Sequence, residues 1–277
     1  MKYKINEAIG KGTFGVVNKG INLITDEIVA VKILPSKNII YTDTQIGVYN
    51  VIDPDKPIPE VEILKICNHP NIVKYVDTIY FHDYIYLITE YCDYTLLDSI
   101  KVLDDRDKIK FTRQLIEGMK YLHSKNIIHR DLSPGNLLIT KDNQLKIIDF
   151  GYSRVYIEDM ELCTQTIWYR APELCLRMKY SFPIDVWSVG CIIFELFSGL
   201  PLFPSDRDHL QYVFSKLGSS TEISWPEAPR SIFWKSEYYN YPMNIDYSII
   251  NSEFQSDVKK MLICNPNKRI KMKDVNI

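Results

Sequence analysis

Apolar and polar residues alternate in three short runs at the start of the chain, whereas further on the apolar positions recur every three or four residues; the period changes from that of strands to that of helices. Tyr3 to Ile9, Phe14 to Gly20 and Glu27 to Leu34 read as three strands, separated by a Gly-rich turn and an Asn/Thr/Asp turn. Polar, punctuated sequence runs from Pro35 to Pro59, with Asp53-Pro54-Asp55-Lys56-Pro57 as a turn signal, and predicts a long loop. Pro59 suits a first helical position, where a missing amide loses no partner, and Glu60, Ile63, Leu64 and Cys67 follow at helical spacing until Asn68-His69-Pro70 ends the helix. Tyr84 to Thr89 reads as another strand. Asp104, Asp105 and Asp107 precede Phe111, Leu115, Met119 and Leu122, an acidic helix start followed by an apolar stripe. Two apolar segments, near Leu137 to Thr140 and Leu145 to Ile148, predict a hairpin. The longest apolar run, Val186 to Phe203, is interrupted by Glu195, Gly199 and Pro201, which predicts a buried helix rather than a membrane span.

The expectation is an α+β chain, β-rich first and mainly helical afterwards. Its 277 residues exceed the usual size of a single core, which favours two lobes, and a hydrophobic content of 46% is ample to fill them. A net charge of -2 leaves no electrostatic footprint for nucleic acid or an anionic membrane, so neither is expected as a partner. Cys67, Cys92, Cys163, Cys175, Cys191 and Cys264 form no CxxC pair and no metal-ligand spacing; they read as reduced thiols of an intracellular protein, cytoplasmic or nuclear. The chain enters its first strand without a charged-then-apolar leader, so no signal peptide is expected.

Between Ile127 and Gly151 stand three acidic or amide side chains, Asp131, Asn136 and Asp149. Any one of them alone would read as a solvated turn residue. Together they belong to His129-Arg130-Asp131-Leu132-Ser133-Pro134-Gly135-Asn136 and Asp149-Phe150-Gly151, which resemble the signature motifs of eukaryotic protein kinases. The resemblance covers essentially the whole chain. It implies a bilobal protein kinase fold, with a small β-rich N-lobe carrying one key helix over residues 1–91, a larger mainly α-helical C-lobe over 92–277, and an activation segment at 149–173. It also implies transfer of the γ-phosphate of ATP to protein hydroxyls, a reaction that needs positioning and charge neutralisation more than covalent chemistry. In that scheme Asp131 accepts the substrate hydroxyl proton, Asn136 and Asp149 hold Mg2+ through hard oxygens, and Thr166 bonds Asp131 near the substrate.

The turn Gly10-Lys11-Gly12-Thr13-Phe14-Gly15-Val16-Val17 is weak evidence alone, because a dinucleotide-dependent oxidoreductase also uses GxGxxG, at a strand-to-helix turn. The β-branched segment that follows favours the kinase hairpin, whose glycines let backbone amides approach the phosphates. Val29-Ala30-Val31-Lys32 resembles the family's VAIK motif. The resemblance then implies that Lys32 neutralises the α and β phosphates and that Glu60 is its partner. It also places Glu90-Tyr91-Cys92-Asp93 at the hinge, where backbone groups of Glu90 and Cys92 would bond the adenine edge. Ile9, Val17, Ala30 and Leu138 would cover its faces, and Thr89 would stand at the entrance to the deeper pocket. As ordinary residues these apolar side chains would pack in a core either way.

Within the family the chain is most similar to the cyclin-dependent branch of serine/threonine kinases. The branch features are Gly10 to Val17, His69-Pro70-Asn71-Ile72-Val73, Trp168 to Glu173, and Leu202-Phe203-Pro204 with Leu217-Gly218. The branch implies cell-cycle kinases with a cyclin or other activating subunit, protein substrates and, from Trp168-Tyr169-Arg170, a proline-accepting pocket. Glu173 and Arg269 are expected to pair, and the family's last helix is expected to be shortened or missing. Four departures bear on function. Ser133 replaces the lysine that contacts the γ-phosphate, which leaves a pseudokinase scaffold as the rival reading. The helix start Pro57-Ile58-Pro59-Glu60-Val61-Glu62 lacks the PSTAIRE-type sequence of cyclin-binding members. Phe14 replaces the inhibitory tyrosine, leaving Thr13. Glu161 stands in the place of the activating threonine, with Arg130 and Arg154 as its candidate partners and Thr164 as a competing phosphate acceptor.

Overall fold

The computed structural model describes residues 2–12, 15–35, 41–43, 48–50, 58–163, 165–205, 207–219, 224–238 and 241–276. In chain order the strands and α-helices begin with β1 (Tyr3–Gly12), β2 (Gly15–Asn22), β3 (Ile28–Pro35), β4 (Tyr41–Asp43), β5 (Val48–Asn50), α1 (Pro59–Ile66), β6 (Tyr75–Phe81) and β7 (Tyr84–Glu90). They continue with β8 (Tyr94–Thr95), α2 (Leu96–Ser99), α3 (Asp105–Ser124), β9 (Ile127–Ile128), β10 (Leu137–Ile139), β11 (Leu145–Ile147) and β12 (Arg154–Val155). Last come α4 (Pro172–Cys175), α5 (Pro183–Ser198), α6 (His209–Leu217) and α7 (Ser252–Met261). The chain divides into two compact units, Met1–Tyr94 with Leu138–Ser153, and Thr95–Leu137 with Arg154–Ile277.

The first unit is built on an antiparallel sheet of order β1-β2-β3-β7-β6. Its pleat sorts the residues of β3. Val29 and Val31 face one side and pack with Tyr3 and Ile88, while Ala30 and Lys32 face the other, beside Thr89 and Val17 in the register of the pairing strands. Gly15 starts β2 so close to β3 that an added Cβ would lie 2.1 Å from the carbonyl oxygen of Ile33. That contact, rather than a ligand, already forbids a side chain there. Helix α1 starts on Pro59, carries Glu60 and Glu62 in its first turn, and buries Glu60, Val61, Ile63 and Leu64. Leu138–Ser153 joins this unit because main-chain bonds run Val73 N to Ile147 O and Ile147 N to Asn71 O, at 3.0 and 2.9 Å.

Two parts of this unit differ from expectation. The stretch from Pro35 to Pro59 contains the antiparallel pair β4 and β5, in which Tyr41, Thr42 and Asp43 stand opposite Asn50, Tyr49 and Val48, inside a segment whose polar punctuation hid it. The turn at 53–57 lies outside the described residues. Strand β6 went unpredicted because Asp77 and Thr78 break its apolar run; pairing with β7 forms it nonetheless, with a bulge between Tyr75 and Asp77.

The second unit is mainly helical. Asp104 caps α3 by accepting from the amide of Asp107 at 2.8 Å, and Phe111, Leu115, Met119 and Leu122 are fully buried along its stripe. Every residue of α5 from Ile184 to Leu196 is buried. Gly199 ends that helix at φ 72, in the left-handed region, and its amide bonds the Glu195 carbonyl at 2.8 Å. Among the described residues no helix is long and apolar enough to cross a membrane.

Helix α6 introduces a titratable group into this core. His209 is buried, donates from Nε2 to the Arg170 carbonyl at 3.1 Å and stands edge-on to Phe203. Burial pushes its imidazole down to about 4. The unfolded chain binds this proton near pH 6.5 and the folded chain only near pH 4, so between those values the unfolded state holds more protons and stability falls as pH falls. The full loss amounts to about 3 kcal/mol by pH 4. Chemical denaturation at stepped pH is expected to show this slope in the native chain and a flatter one in His209→Gln. Equal slopes would exclude His209 as the source.

Candidate active site

Two acids of the first unit converge on Lys32. Its ammonium lies 2.8 and 2.9 Å from the two carboxylate oxygens of Glu60 and 2.7 Å from Oδ1 of Asp149. β3 supplies the lysine, the buried face of α1 supplies Glu60, and the turn after β11 supplies Asp149, which sits in the left-handed region at φ 58. Burial alone would lower the lysine; the carboxylates of Glu60 and Asp149 outweigh it and hold the ammonium above the usual lysine range. Burial raises Glu60 above the ordinary carboxylate range, and Lys32 offsets part of that effect. The two carboxylates fix the ammonium at one place on the unit.

The apolar residues expected around the adenine lie on this same unit. Val17, Ala30, Thr89 and Leu138 are half-buried and Ile9 is exposed, in contrast to the fully packed Val29 and Val31. Glu90 spends its side chain on the scaffold, accepting from the Lys74 amide at 2.7 Å and pairing with Lys146 at 2.7 Å. The Cys92 thiol is buried, and burial followed by Glu90 pushes it up to about 12, so it remains protonated. Only main-chain groups of Glu90 and Cys92 therefore suit recognition of a base edge. Thr13 and Phe14 lie outside the described residues, and Gly10, Lys11 and Gly12 run along the end of β1.

In the second unit Asp131 is buried and tied on both carboxylate oxygens. Oδ1 accepts from the amide and hydroxyl of Thr166 at 2.9 and 2.7 Å, and Oδ2 lies 3.3 Å from Nδ2 of Asn136. The same Nδ2 donates to the Asp131 carbonyl at 2.7 Å. The amide nitrogen of Asn136 is thus turned to Asp131, which sets its oxygen, the atom suited to a hard cation, on the other side. Ser133 is buried in extended backbone just before the turn at Pro134–Asn136. Its hydroxyl is neutral and does not supply the missing cation.

A residue whose role the sequence did not reveal holds this loop. Asp185, fully buried at the start of α5, accepts from the amides of His129 and Arg130 at 2.8 and 2.9 Å, and His123 Nε2 lies 3.1 Å from it. Arg130 sits at φ 71, a conformation that costs a non-glycine residue about 1–3 kcal/mol unless the surroundings enforce it. The two bonds to Asp185 enforce it. The sequence signal was an acid opening an apolar helix, which also reads as an ordinary dipole-compensating residue.

In the second unit the stretch after β12 carries Glu161 between two arginines. Its Oε1 lies 3.2 Å from Nη1 of buried Arg130 and 3.1 Å from Nε of Arg154. The Tyr180 hydroxyl donates to the Glu161 carbonyl at 2.5 Å, and Lys179 pairs with Asp159 at 2.6 Å. Thr164 lies outside the described residues. Further along, Arg269 meets Glu173 in a bidentate pair at 2.7 and 2.9 Å, both side chains buried.

Two acids on a lysine in one unit, and an aspartate braced by an amide and a threonine in the other, are the parts that a phosphoryl-transfer enzyme needs. A family model of the protein kinase domain matches residues 3–276, and the chain belongs to the protein kinase family. Its antiparallel sheet unit and helical unit are the two parts of that fold, and the family transfers phosphate from ATP.

Proposed function

We propose that this chain is a serine/threonine kinase of the cyclin-dependent type that phosphorylates residues followed by proline, using ATP with Mg2+. The reading rests on the carbonyl of Gln165, which accepts from Nε and Nη2 of Arg170 at 3.1 and 2.7 Å. This resembles the branch's proline-accepting pocket in chemical terms. A substrate residue after the phosphorylated one would ordinarily offer its amide N–H to such a carbonyl; with the carbonyl taken, that N–H would go unsatisfied at a cost of about 1–3 kcal/mol. Proline has no N–H to lose. Asn136 and Asp149 are the residues that would hold Mg2+, which supplies charge neutralisation at the phosphates. Asp131 would take the hydroxyl proton, with Thr166 and Asn136 fixing its direction. The formed Lys32–Glu60 pair favours activity of the chain alone over dependence on a cyclin, and the cysteine pattern favours a site of action inside the cell.

The test is transfer of radiolabelled phosphate to matched Ser-Pro and Ser-Ala peptides by the purified chain, with and without a cyclin. The expected ratio of kcat/KM is roughly 5- to 150-fold in favour of Ser-Pro. A ratio of one removes the proline reading, and absence of any transfer makes the chain a pseudokinase scaffold, the outcome to which Ser133 points.

Activity is expected without phosphorylation of the segment, because Glu161 already places a carboxylate on Arg130 and Arg154. Glu161 is half exposed, so the pair contributes at most about 1 kcal/mol to stability. Glu161→Ala is expected to lower kcat several-fold with a nearly unchanged melting temperature, and phosphatase treatment of the native chain is expected to leave kcat unaltered. Loss of activity on dephosphorylation would move the switch to another residue.

A further inference from the structure

The sheet of the first unit encloses a space that its own side chains do not fill. Strands β1 and β6 stand at opposite ends of the order β1-β2-β3-β7-β6, yet side chains join them. The Tyr3 hydroxyl on β1 and the ammonium of Lys2 just before it both donate to Oδ2 of Asp77 on β6, at 3.1 and 2.8 Å. The sheet therefore curls until its two edges approach over one face. Gly20 of β2 permits the curl: an added Cβ would lie 2.9 Å from Cγ2 of Val31 and 3.1 Å from the Lys4 carbonyl oxygen.

Inside the curl is a cavity of about 290 Å³. Val31, Tyr86 and Ile88 line it from β3 and β7, Ile5 from β1, and Ile79 and Phe81 from β6. Ile5 and Phe81 remain exposed, at 38% and 47%. Among the described residues the one charged group in the lining is Lys2. Curled sheets either fill their interior with side chains or, as some small barrels do, hold one small ligand. An apolar space offers water no partners, and its lining lacks the dispersion contacts that a ligand would supply.

Size and charge define the occupant. A cavity of about 150 Å³ holds one benzene, so this one takes roughly a dozen carbon atoms. Asp77 accepts from Lys2 and Tyr3 through Oδ2 and from the Thr78 amide through Oδ1 at 2.9 Å, so its charge is already met. Lys2 carries three protons and its side chain is 46% exposed, which leaves room for a second acceptor. An anionic group on an apolar body suits both ends. A concavity of this size fits a small molecule better than the broad contact that a protein partner needs.

We propose that this cavity binds a free medium-chain carboxylate of about ten to twelve carbons, its chain inside the curled sheet and its carboxylate on the Lys2 ammonium. No bond is made or broken. The site is separate from the face that carries Lys32, because Val31 points away from its neighbours Ala30 and Lys32.

Calorimetric titration of the native chain with decanoate tests this, with decanol as the uncharged counterpart and melting temperatures recorded alongside. One decanoate per chain is expected, at an affinity that saturating ATP with Mg2+ leaves unchanged. Lys2→Met is expected to weaken decanoate about three- to five-fold, the scale of an exposed ion pair, and to leave decanol as it was. Ile79→Trp places an indole in the cavity and is expected to weaken both ligands at least about ten-fold. Should Ile79→Trp fail to fold, Ile5→Trp carries the same test from a position that is already partly exposed. Absence of decanoate binding to the native chain overturns the proposal, as does displacement by ATP. Equal losses of decanoate and decanol in Lys2→Met would remove the carboxylate from it. Uptake of several molecules per chain that neither substitution reduces is detergent-like adsorption and also overturns it. A dimer of the native chain that Ile79→Trp breaks and decanoate does not would give the face to a second copy instead.

Discussion

Asp131→Asn is expected to lower kcat by about 10²- to 10⁴-fold, the range in which a positioned proton acceptor contributes, with little change in KM for ATP. The substitution keeps the shape of the side chain. Asparagine can still accept from the amide and hydroxyl of Thr166 through Oδ1; it loses the capacity to take a proton and turns an amide nitrogen to the Asn136 Nδ2 that Oδ2 faced. Folding is expected to shift by no more than about 1 kcal/mol, the scale of one altered hydrogen bond. Steady-state transfer to a Ser-Pro peptide, with thermal unfolding of the same preparations, checks both halves. Equal turnover by the two proteins would show that the group braced by Thr166 and Asn136 is not the acceptor.

Arg269→Ala carries the largest expected effect on stability, a loss of about 3–5 kcal/mol. All five guanidinium donors are used. Two go to the Glu173 carboxylate, and the other three go to the carbonyls of Pro183, Ile263 and Cys264 at 2.7, 2.9 and 3.1 Å. Removing the arginine leaves a buried carboxylate and three partly buried carbonyls without these donors, and takes a cation from the face of Trp187, 5.1 Å from the ring centroid. Lysine keeps the charge and loses the fork, so Arg269→Lys is expected to fall between the two. Replacing Glu173 and Arg269 together by Met should recover only part of the loss, because the three carbonyls remain. Urea unfolding of the four proteins gives the comparison; a loss below about 1 kcal/mol for Arg269→Ala would mean that the pair is hydrated in solution.

The residues proposed for the site could be picked out from the chain, because chemistry constrains residue type at fixed local spacing. Asp131 and Asn136 are five residues apart on one loop, and a hairpin brings Asp149 within reach of Lys32. Two helix starts were equally readable: Asp104 before α3 and Pro59 at α1 act within a single turn, where sequence neighbours are spatial neighbours. The small displacements of the strands, with β1 running to Gly12 and β3 to Pro35, come from ladders that continue wherever a partner strand is present.

Local pattern determined which elements form, which residue types could carry phosphoryl transfer and where the apolar stripes lie. Only the tertiary structure decided what depends on partners far along the chain. Asp185 holds the strained backbone of Arg130 across 55 residues, Arg269 reaches Glu173 across 96, and Gln165 engages Ser188 across 23. Leu138–Ser153 belongs with the first unit because β11 bonds to residues 71–73, although the chain delivers it after α3. The physical reason is common to all of these. A buried polar group must find its partner wherever the fold supplies one, and sequence spacing carries no record of that distance.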